Sequence, residues 1–492
     1  MVKSSEEESS LGKDISIKKA SAIYAGAKYT TIFVGILISA VLSRILTPDD
    51  YGVVAVVTVF STFFSTLANL GLGTGLIQNK NLSKEDTNDI YSFSVWFSII
   101  LSLLLCFAAK PIATFYNDRA YMPICYLLSI SVLFNSLNMI PNSMLLKEQK
   151  FFSVGIRMIV SSVGSGIVAI IMAVLGWKYY SLVFQSILLA AIQFFWNRMT
   201  VQLKFKLKIN FQPIKSIANY SLNQFFYNVL NMFAQNLDNL LTGKFMGSEQ
   251  LAYYNKSYTL MRYPVNNIPH AISPILHPIL SNYQNDKKYI YEKYIEIVKV
   301  ISLIGVCCFG LFHGLSEEIV LIMFGKQWQG AVVSVHIFSW CIWAQLVNAL
   351  AGSIYQSLGN TKEMFHSGLI HVALTIVAII IGTSFQSIQI LSFAVMISLN
   401  LKFIVESIYL IKKCFDYSLL AYWKNFIPEF FMMIVIAAVD EIMNSICNLG
   451  LIYSAVIKVM ILGGLIFALT FALKQQKYIL TFVPARFKKK KS

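Results

Sequence analysis

Runs of about twenty apolar residues recur along this whole sequence, separated by short polar stretches. Wound at ~1.5 Å per residue, such a run matches the ~30 Å hydrocarbon core of a bilayer. A backbone in lipid must satisfy its own polar groups, so the spans are predicted to be helices. A membrane β-barrel would instead alternate apolar and polar residues over about ten positions, again and again, and no such repeat is present. Composition agrees. Charged residues make up 13% of the 492 positions and hydrophobic ones 56%, against about a quarter charged in soluble proteins. The fold class is an all-α polytopic membrane protein.

About fourteen spans of this length are predicted. They start near Ala22, Tyr51, Ile90, Tyr121, Ser153, Tyr179, Ile217, Leu251, Tyr289, Ala331, Glu363, Ile388, Tyr422 and Leu451. The connections leave no room for a soluble domain. No G-x-x-x-x-G-K-[ST] occurs, so ATP hydrolysis by a P-loop is not expected. The start, MVKSSEEESSLGKD, has no basic segment leading into a short cleavable apolar run, and no signal peptide is expected. The seven cysteines lie in or beside apolar runs and form no C-x-x-C pair. They read as small hydrophobes.

An even number of spans puts both termini on one side. With both cytoplasmic, about two thirds of the 40 Lys and Arg fall on inside segments, as the positive-inside rule requires. The loop after span six carries Arg198, Lys204, Lys206, Lys208 and Lys215, and the tail ends with Arg486 and Lys488 to Lys491. The net charge of +16 is therefore a topology signal and an attraction to anionic lipid, and no nucleic-acid partner is expected. A faint internal repeat relates SRILTPDDYG to TGKFMGSEQLAYY: laying Arg44 on Lys244 also lays Asp49 on Glu249. Six spans separate the copies, so both halves have the same topology, a parallel repeat of the transporter kind. The expected organisation is a cytoplasmic polar tail (1–21), an N-terminal six-helix lobe (22–200) and a basic cytoplasmic linker (201–216). A C-terminal six-helix lobe (217–413), two additional helices (414–473) and a basic cytoplasmic tail (474–492) follow.

Five segments carry a family resemblance: SRILTPDDYGVVAVVTVF, NLGLGTGLIQ, NMIPNSMLLKEQKF, LDNLLTGKFMGSEQLAYYNKSYTLMRYPVNNI and SPILHPILS. Together, and in this order, they resemble the Wzx-type polysaccharide flippases of the multidrug/oligosaccharidyl-lipid/polysaccharide exporter superfamily. The similar branch is the colanic-acid and teichuronic-acid exporters. The resemblance implies a V-shaped bundle of two six-helix lobes around a central cavity. It also implies the cargo, undecaprenyl-diphosphate-linked oligosaccharide, and a place in cell-surface polysaccharide biosynthesis at the bacterial cytoplasmic membrane. Expected partners are the lipid-linked oligosaccharide and membrane lipids, with a polysaccharide polymerase as a candidate.

Charges inside a span mark a pathway by default. Arg262 lies deep in span eight, followed by Pro264, Pro269, Pro274 and Pro278, which should break that helix. Its guanidinium fork suits a diphosphate, or else a structural ion pair with a neighbouring span. Lys299 and Lys402 are also deep, Lys402 with Glu406 at i+4 as a neutralising partner. Lys28 and Arg157 sit nearer the cytoplasmic side, to collect a diphosphate or to snorkel; Lys458 reads as snorkelling. Span seven is unusually polar. Asn228, Asn231, Gln235, Asp238 and Asn239 could meet sugar hydroxyls or act as interhelical glue. Asp238 could carry a coupling H⁺ or Na⁺, or pair with Arg44 or Lys244 as a clasp. No other cofactor is expected. His270, His277, His313, His336, His366 and His371 show no metal-binding spacing, and no metal site is predicted.

These readings favour a flippase working by alternating access, with no covalent chemistry. A multidrug or cation antiporter would want acids in the spans. Here seven bases (Lys28, Arg44, Arg157, Arg262, Lys299, Lys402, Lys458) face two acids (Asp238, Glu406), which favours an anionic cargo. A lipid II flippase would want the same bases; only the segment-level resemblance argues against it. A membrane enzyme would need a large loop or a carboxylate cluster, and neither is visible.

Overall fold

The computed structural model describes the backbone of residues 2–69, 72–79, 82–269, 276, 280–281, 283–446 and 450–478. The side chains of 2–22 and most of those of 216–231 lie outside the described residues. The described chain is helical. In order the helices are α1 (Val2–Ile45), α2 (Pro48–Asn69), α3 (Leu72–Gln78), α4 (Lys84–Tyr116), α5 (Tyr121–Lys147), α6 (Phe151–Val174), α7 (Tyr180–Thr200), α8 (Gln212–Met246) and α9 (Ser248–Asn267). Then come α10 (Lys287–Gly314), α11 (Ser316–Phe324), α12 (Gln329–Asn348), α13 (Ala351–Leu358), α14 (Thr361–Ser384) and α15 (Ile388–Ser407), which runs on into a π-helical turn (Ile408–Cys414). Last are α16 (Leu419–Lys424), α17 (Ile427–Ile446) and α18 (Leu451–Ala472).

Among the described residues, eleven helical segments are long and apolar enough to cross a membrane. Three more helices stand where spans seven, eight and thirteen were read, and fall short on polarity. The helix α8 carries a run of amides, α9 is rich in Asn, Tyr and Ser, and α17 holds Glu429, Asp440 and Glu441. Polar groups on so long a helix need partners inside the protein, because lipid offers none.

Two compact units divide between Glu249 and Gln250. The sequence reading began its second lobe at 217, so the division falls one helix later: α8 packs on α2, α3 and α4 within the first unit. There too α1 lies along α6, α4 along α5, and α7 against both α5 and α6. Close approach needs small residues. A Cβ on Gly166 would stand 2.0 Å from Ile38 Cδ1, so any larger residue on α6 would have to displace the Ile38 side chain of α1. In the second unit α12 is central, packing on α10 and α15, with α14 on α15 and α17 on α10. Gly305 on α10 plays the same part opposite Trp343 of α12.

The turn inside SRILTPDDYG has a local cause. Thr47 caps α2, Pro48 takes the first helical position where its missing N–H is not needed, and Asp50 closes a capping box. Asp50 Oδ2 accepts from the Thr47 backbone N–H at 3.0 Å and its hydroxyl at 2.8 Å, while the Asp50 N–H donates to Thr47 Oγ1 at 3.2 Å. Asp50 Oδ1 also accepts from the Tyr179 N–H at 3.1 Å, tying this turn to the start of α7. Ser83 and Asp86 build the same box at α4.

The basic linker is not a solvated strap. Val201 and Leu203 are buried in a cluster with Leu76, Ile90, Leu145 and Val154, while Gln202 and Lys204 face out. The extended backbone is held by side chains of α4. The Lys204 N–H donates to Asn88 Oδ1 and the Lys206 N–H to Ser92 Oγ, both at 2.8 Å. The Lys206 ammonium pairs with Glu85 and, at 3.4 Å, with Asp89. The hydrogen bond to Glu85 holds its pKa above the ordinary lysine value.

Candidate functional site

Helices α9, α14 and α15 bring three basic side chains of the second unit into one electrostatic neighbourhood. Lys402, half-buried on α15, lies close enough to Arg262 of α9 and to Glu406 for both charges to act on it, and His371 of α14 lies in the field of Lys402. Arg262 rests over the Tyr258 ring, one turn before it, at 5.6 Å from the centroid. Among the described residues neither Arg262 nor Lys402 has a hydrogen-bond or ion-pair partner. His371 Nε2 is buried with no hydrogen bond. The i+4 neutralisation expected from Glu406 does not form as an ion pair. Glu406 is turned to Ser367, whose hydroxyl donates to Oε1 at 3.4 Å. Two like charges thus share this neighbourhood, and among the described residues neither forms an ion pair, Glu406 acting on Lys402 only at a distance; the arrangement is suited to an incoming multivalent anion. The described part of α9 ends at Asn267, three residues beyond Pro264, and Pro269 follows; Pro274 and Pro278 lie outside the described residues.

The other deep cations of this unit are already engaged. Lys299, expected among the cargo contacts, is 1% exposed and ion-paired with Glu429 of α17, and also donates to the Asn425 carbonyl at 2.6 Å. Lys458, expected to snorkel, is buried and pairs with Glu318 at 2.9 Å. Lys256 packs against the Phe324 and Trp328 rings, 4.5 and 5.2 Å from their centroids. Glu318, Glu429 and Asp440, all buried, join Asp238 and Glu406 on the acid side. The excess of bases over acids is accordingly smaller than the sequence count.

In the first unit Arg157 is 5% exposed. Its Nη1 donates to Asn142 Oδ1 at 2.8 Å and Asn197 Oδ1 at 2.7 Å, and Asn197 Nδ2 donates to Asn138 Oδ1 at 2.7 Å. It therefore joins α5, α6 and α7 through amides, a use that neither the cargo reading nor the snorkelling reading named. Lys28 is half-exposed on α1, and Arg44 is exposed at the end of that helix.

On α8, Gln235 is exposed, Asn239 half-buried and Asp238 buried, its Oδ1 accepting from the Asn239 N–H at 2.8 Å. The side chains of Asn228 and Asn231 lie outside the described residues. Contacts gather at the C-terminal end of α8. The Lys244 ammonium donates to the Phe115 carbonyl, 4.6 Å from that ring's centroid. Tyr116 Oη donates to the Leu240 carbonyl at 3.1 Å, and the Ser248 hydroxyl donates to Asp49. The first turns of α2 and α9 meet here: a Cβ on Gly52 would lie 1.8 Å from the Ser248 carbonyl oxygen, so only glycine permits the approach.

The comparisons with known proteins agree with this architecture. A family model described as polysaccharide biosynthesis protein matches residues 41–333. The chain is 23% identical over 362 residues to the teichuronic acid biosynthesis protein TuaB of Bacillus subtilis, covering 70% of this chain and 73% of that one. It is 21% identical to the lipopolysaccharide biosynthesis protein WzxC of Escherichia coli over 381 residues, 75% of each. The succinoglycan biosynthesis transport protein ExoT of Rhizobium meliloti is 20% identical over 307 residues, 62% of this chain and 60% of that protein. Among solved structures, the inward closed lipid II flippase MurJ superposes with a TM-score of 0.72 at 15% identity, over 92% of this chain and 99% of MurJ. An inward-facing multidrug resistance transporter of the MATE family and MOP superfamily gives 0.59 at 13% identity, over 76% of this chain and 92% of that one. These likenesses establish a shared fold. With the family model spanning more than half of the sequence, the chain belongs to the polysaccharide biosynthesis protein family.

Proposed function

We propose that this protein carries undecaprenyl-diphosphate-linked oligosaccharide from the cytoplasmic to the outer leaflet of a bacterial cytoplasmic membrane, with both termini cytoplasmic. The observation that supports this reading is the Arg262–Lys402 pair, basic groups on α9 and α15 neither of which forms an ion pair among the described residues. A diphosphate brings two negative charges and several acceptor oxygens to that pair, and the guanidinium fork can take two of them at once. His371 Nε2 adds a third nitrogen to the neighbourhood. The amides of α8, Gln235 and Asn239 with Asn228 and Asn231, are the proposed glycan contacts, since amides both donate to and accept from hydroxyls.

Transport proceeds by alternating access without bond making or breaking, so no catalytic residue is assigned. A proton or Na⁺ is the proposed coupling ion, with Asp238 its carrier, and a polysaccharide polymerase would consume the product outside. A cation or drug antiporter is disfavoured, because an organic cation would meet Arg262 and Lys402 as like charges. The relatives' names, which concern surface polysaccharides, favour a polysaccharide unit over lipid II.

The test is complementation. The gene is deleted, and outer-leaflet exposure of lipid-linked glycan is measured with wild type or Arg262→Ala returned. Accumulation on the cytoplasmic side, rescued by wild type and not by the variant, is the expected outcome. Normal exposure in the deletion strain would remove the reading.

A further inference from the structure

Away from the basic site, three acceptor groups of the second unit converge with no donor among them. His313 ends α10, His336 lies two turns into α12 and Asp440 lies on α17; one ligand atom of each is within 4.8 Å of the other two. His313 and Asp440 are buried and His336 half-buried. The proton positions follow from the partners. The Ser339 hydroxyl donates to the His336 carbonyl at 2.6 Å, so its oxygen is left to accept from His313 Nδ1, 3.2 Å away. His336 Nδ1 stands 3.3 Å from the His313 carbonyl, which can only accept, so that nitrogen also carries the hydrogen.

Both neutral rings therefore present Nε2 as a lone pair. His313 Nε2 lies 3.9 Å from Asp440 Oδ2. Asp440 is 1% exposed, and among the described residues neither of its oxygens has a hydrogen-bond donor. Lys458 on the neighbouring α18 forms its ion pair with Glu318, whose same oxygen accepts from Ser454 at 2.6 Å, and makes none with Asp440. Gly314 makes room for the cluster: a Cβ there would stand 3.4 Å from Asp440 Oδ1 and 2.3 Å from Leu462 Cδ1. A cavity of about 610 Å³, lined by Glu317, Glu318, Asn444, Ser454 and Lys458, reaches the cluster at His336.

We propose that His313, His336 and Asp440 form a binding site for a divalent transition-metal ion of the Zn²⁺ class. Two imidazoles with one carboxylate suit such an ion, whereas Na⁺-like, Mg²⁺ and Ca²⁺ sites are built from oxygen. Tetrahedral ligands at about 2.1 Å stand about 3.4 Å apart, so side-chain rotation suffices to close the set, with water in the fourth place. Each ring already donates its other N–H to a hydroxyl or a carbonyl, the outer-shell arrangement that fixes the tautomer of a metal-binding histidine. On the topology proposed above, the cavity opens on the outer side of the membrane.

The test uses the full-length protein in lipid nanodiscs, stripped with chelator and titrated with ZnCl₂. Bound zinc per chain and thermal unfolding are measured. About one ion per chain and a rise in Tm are expected. His336→Gln and Asp440→Asn, checked for wild-type helicity and size-exclusion behaviour, should weaken binding by at least about 100-fold. Ser339→Ala should weaken it by about 10-fold, and His366→Gln, exposed on α14, should leave it unchanged. Equal zinc binding by wild type and folded His336→Gln would overturn the proposal. So would a wild-type Tm that responds to pH between 5 and 8 and not to zinc, which would make the cluster a proton site.

Discussion

The two units handle polarity in different ways. In the first, a buried guanidinium is held by neutral amides: Arg157 donates through Nη1 to Asn142 and Asn197, with no carboxylate in its hydrogen bonds. In the second, charge is met by charge: Lys299 by Glu429 and Lys458 by Glu318. Against that habit, Arg262 and Lys402 stand out in the same unit, because among the described residues neither forms an ion pair and Glu406 acts on Lys402 only at a distance. The contrast gives a rule for reading cations in such a protein. A cation answered within the fold holds helices together, and a cation left unanswered waits for a ligand.

The largest effect should come from breaking an answered pair. Lys299→Ala leaves Glu429 buried and alone, at a cost of about 3–5 kcal/mol, seen as lost folded yield or a much lower Tm. The double change Lys299→Met with Glu429→Leu should restore most of that stability. If the single variant is as stable as wild type, the pair is not structural and the contrast fails. Arg157→Ala should cost less, about 1–3 kcal/mol, because neutral amides are left unpaired in place of a charge. A loss equal to that of Lys299→Ala would show that amides and carboxylates hold a cation equally well here.

At the small end stands the linker contact outside the membrane. The Lys206 pKa is raised by Glu85, so the contact is fully present below the ordinary lysine value and is lost only as pH rises through the raised one. Unfolding measured from about pH 6 to pH 9 should show no step from it, and Glu85→Gln should leave Tm unchanged at high salt. A Tm drop in that variant would mean that the linker is pinned by charge more than by Val201 and Leu203.

Much of this was legible in the sequence, for a physical reason. Apolar runs report the bilayer directly, so the helices and the class of fold could be read from them. The polar character of span seven was equally plain. The partner of a charge across two helices was not, because it depends on how the helices rotate and stagger. Nothing local joins Lys299 to Glu429, or His313 to Asp440. The i+4 rule pointed Lys402 at Glu406, and the fold drew that carboxylate to Ser367 instead. Two signals were available and went unread. The linker VQLKFKLK alternates apolar and polar residues, the mark of an extended segment with one face buried, and T-P-D-D carries a capping box with proline at the first helical position.

The central claim is that Arg262 and Lys402 serve the cargo while Lys299 serves the fold. One side-by-side measurement tests it: outer-leaflet exposure of lipid-linked glycan in the deletion strain, normalised to folded protein in the membrane. It compares Arg262→Ala/Lys402→Ala with Lys299→Met/Glu429→Leu. The account predicts that the first pair is folded in normal amount and at least about 100-fold slower, at about 1.5–3 kcal/mol per charged contact, and that the second transports at near wild-type rate. Transport by the first at the wild-type rate, or its loss in the second with normal folding, would contradict it.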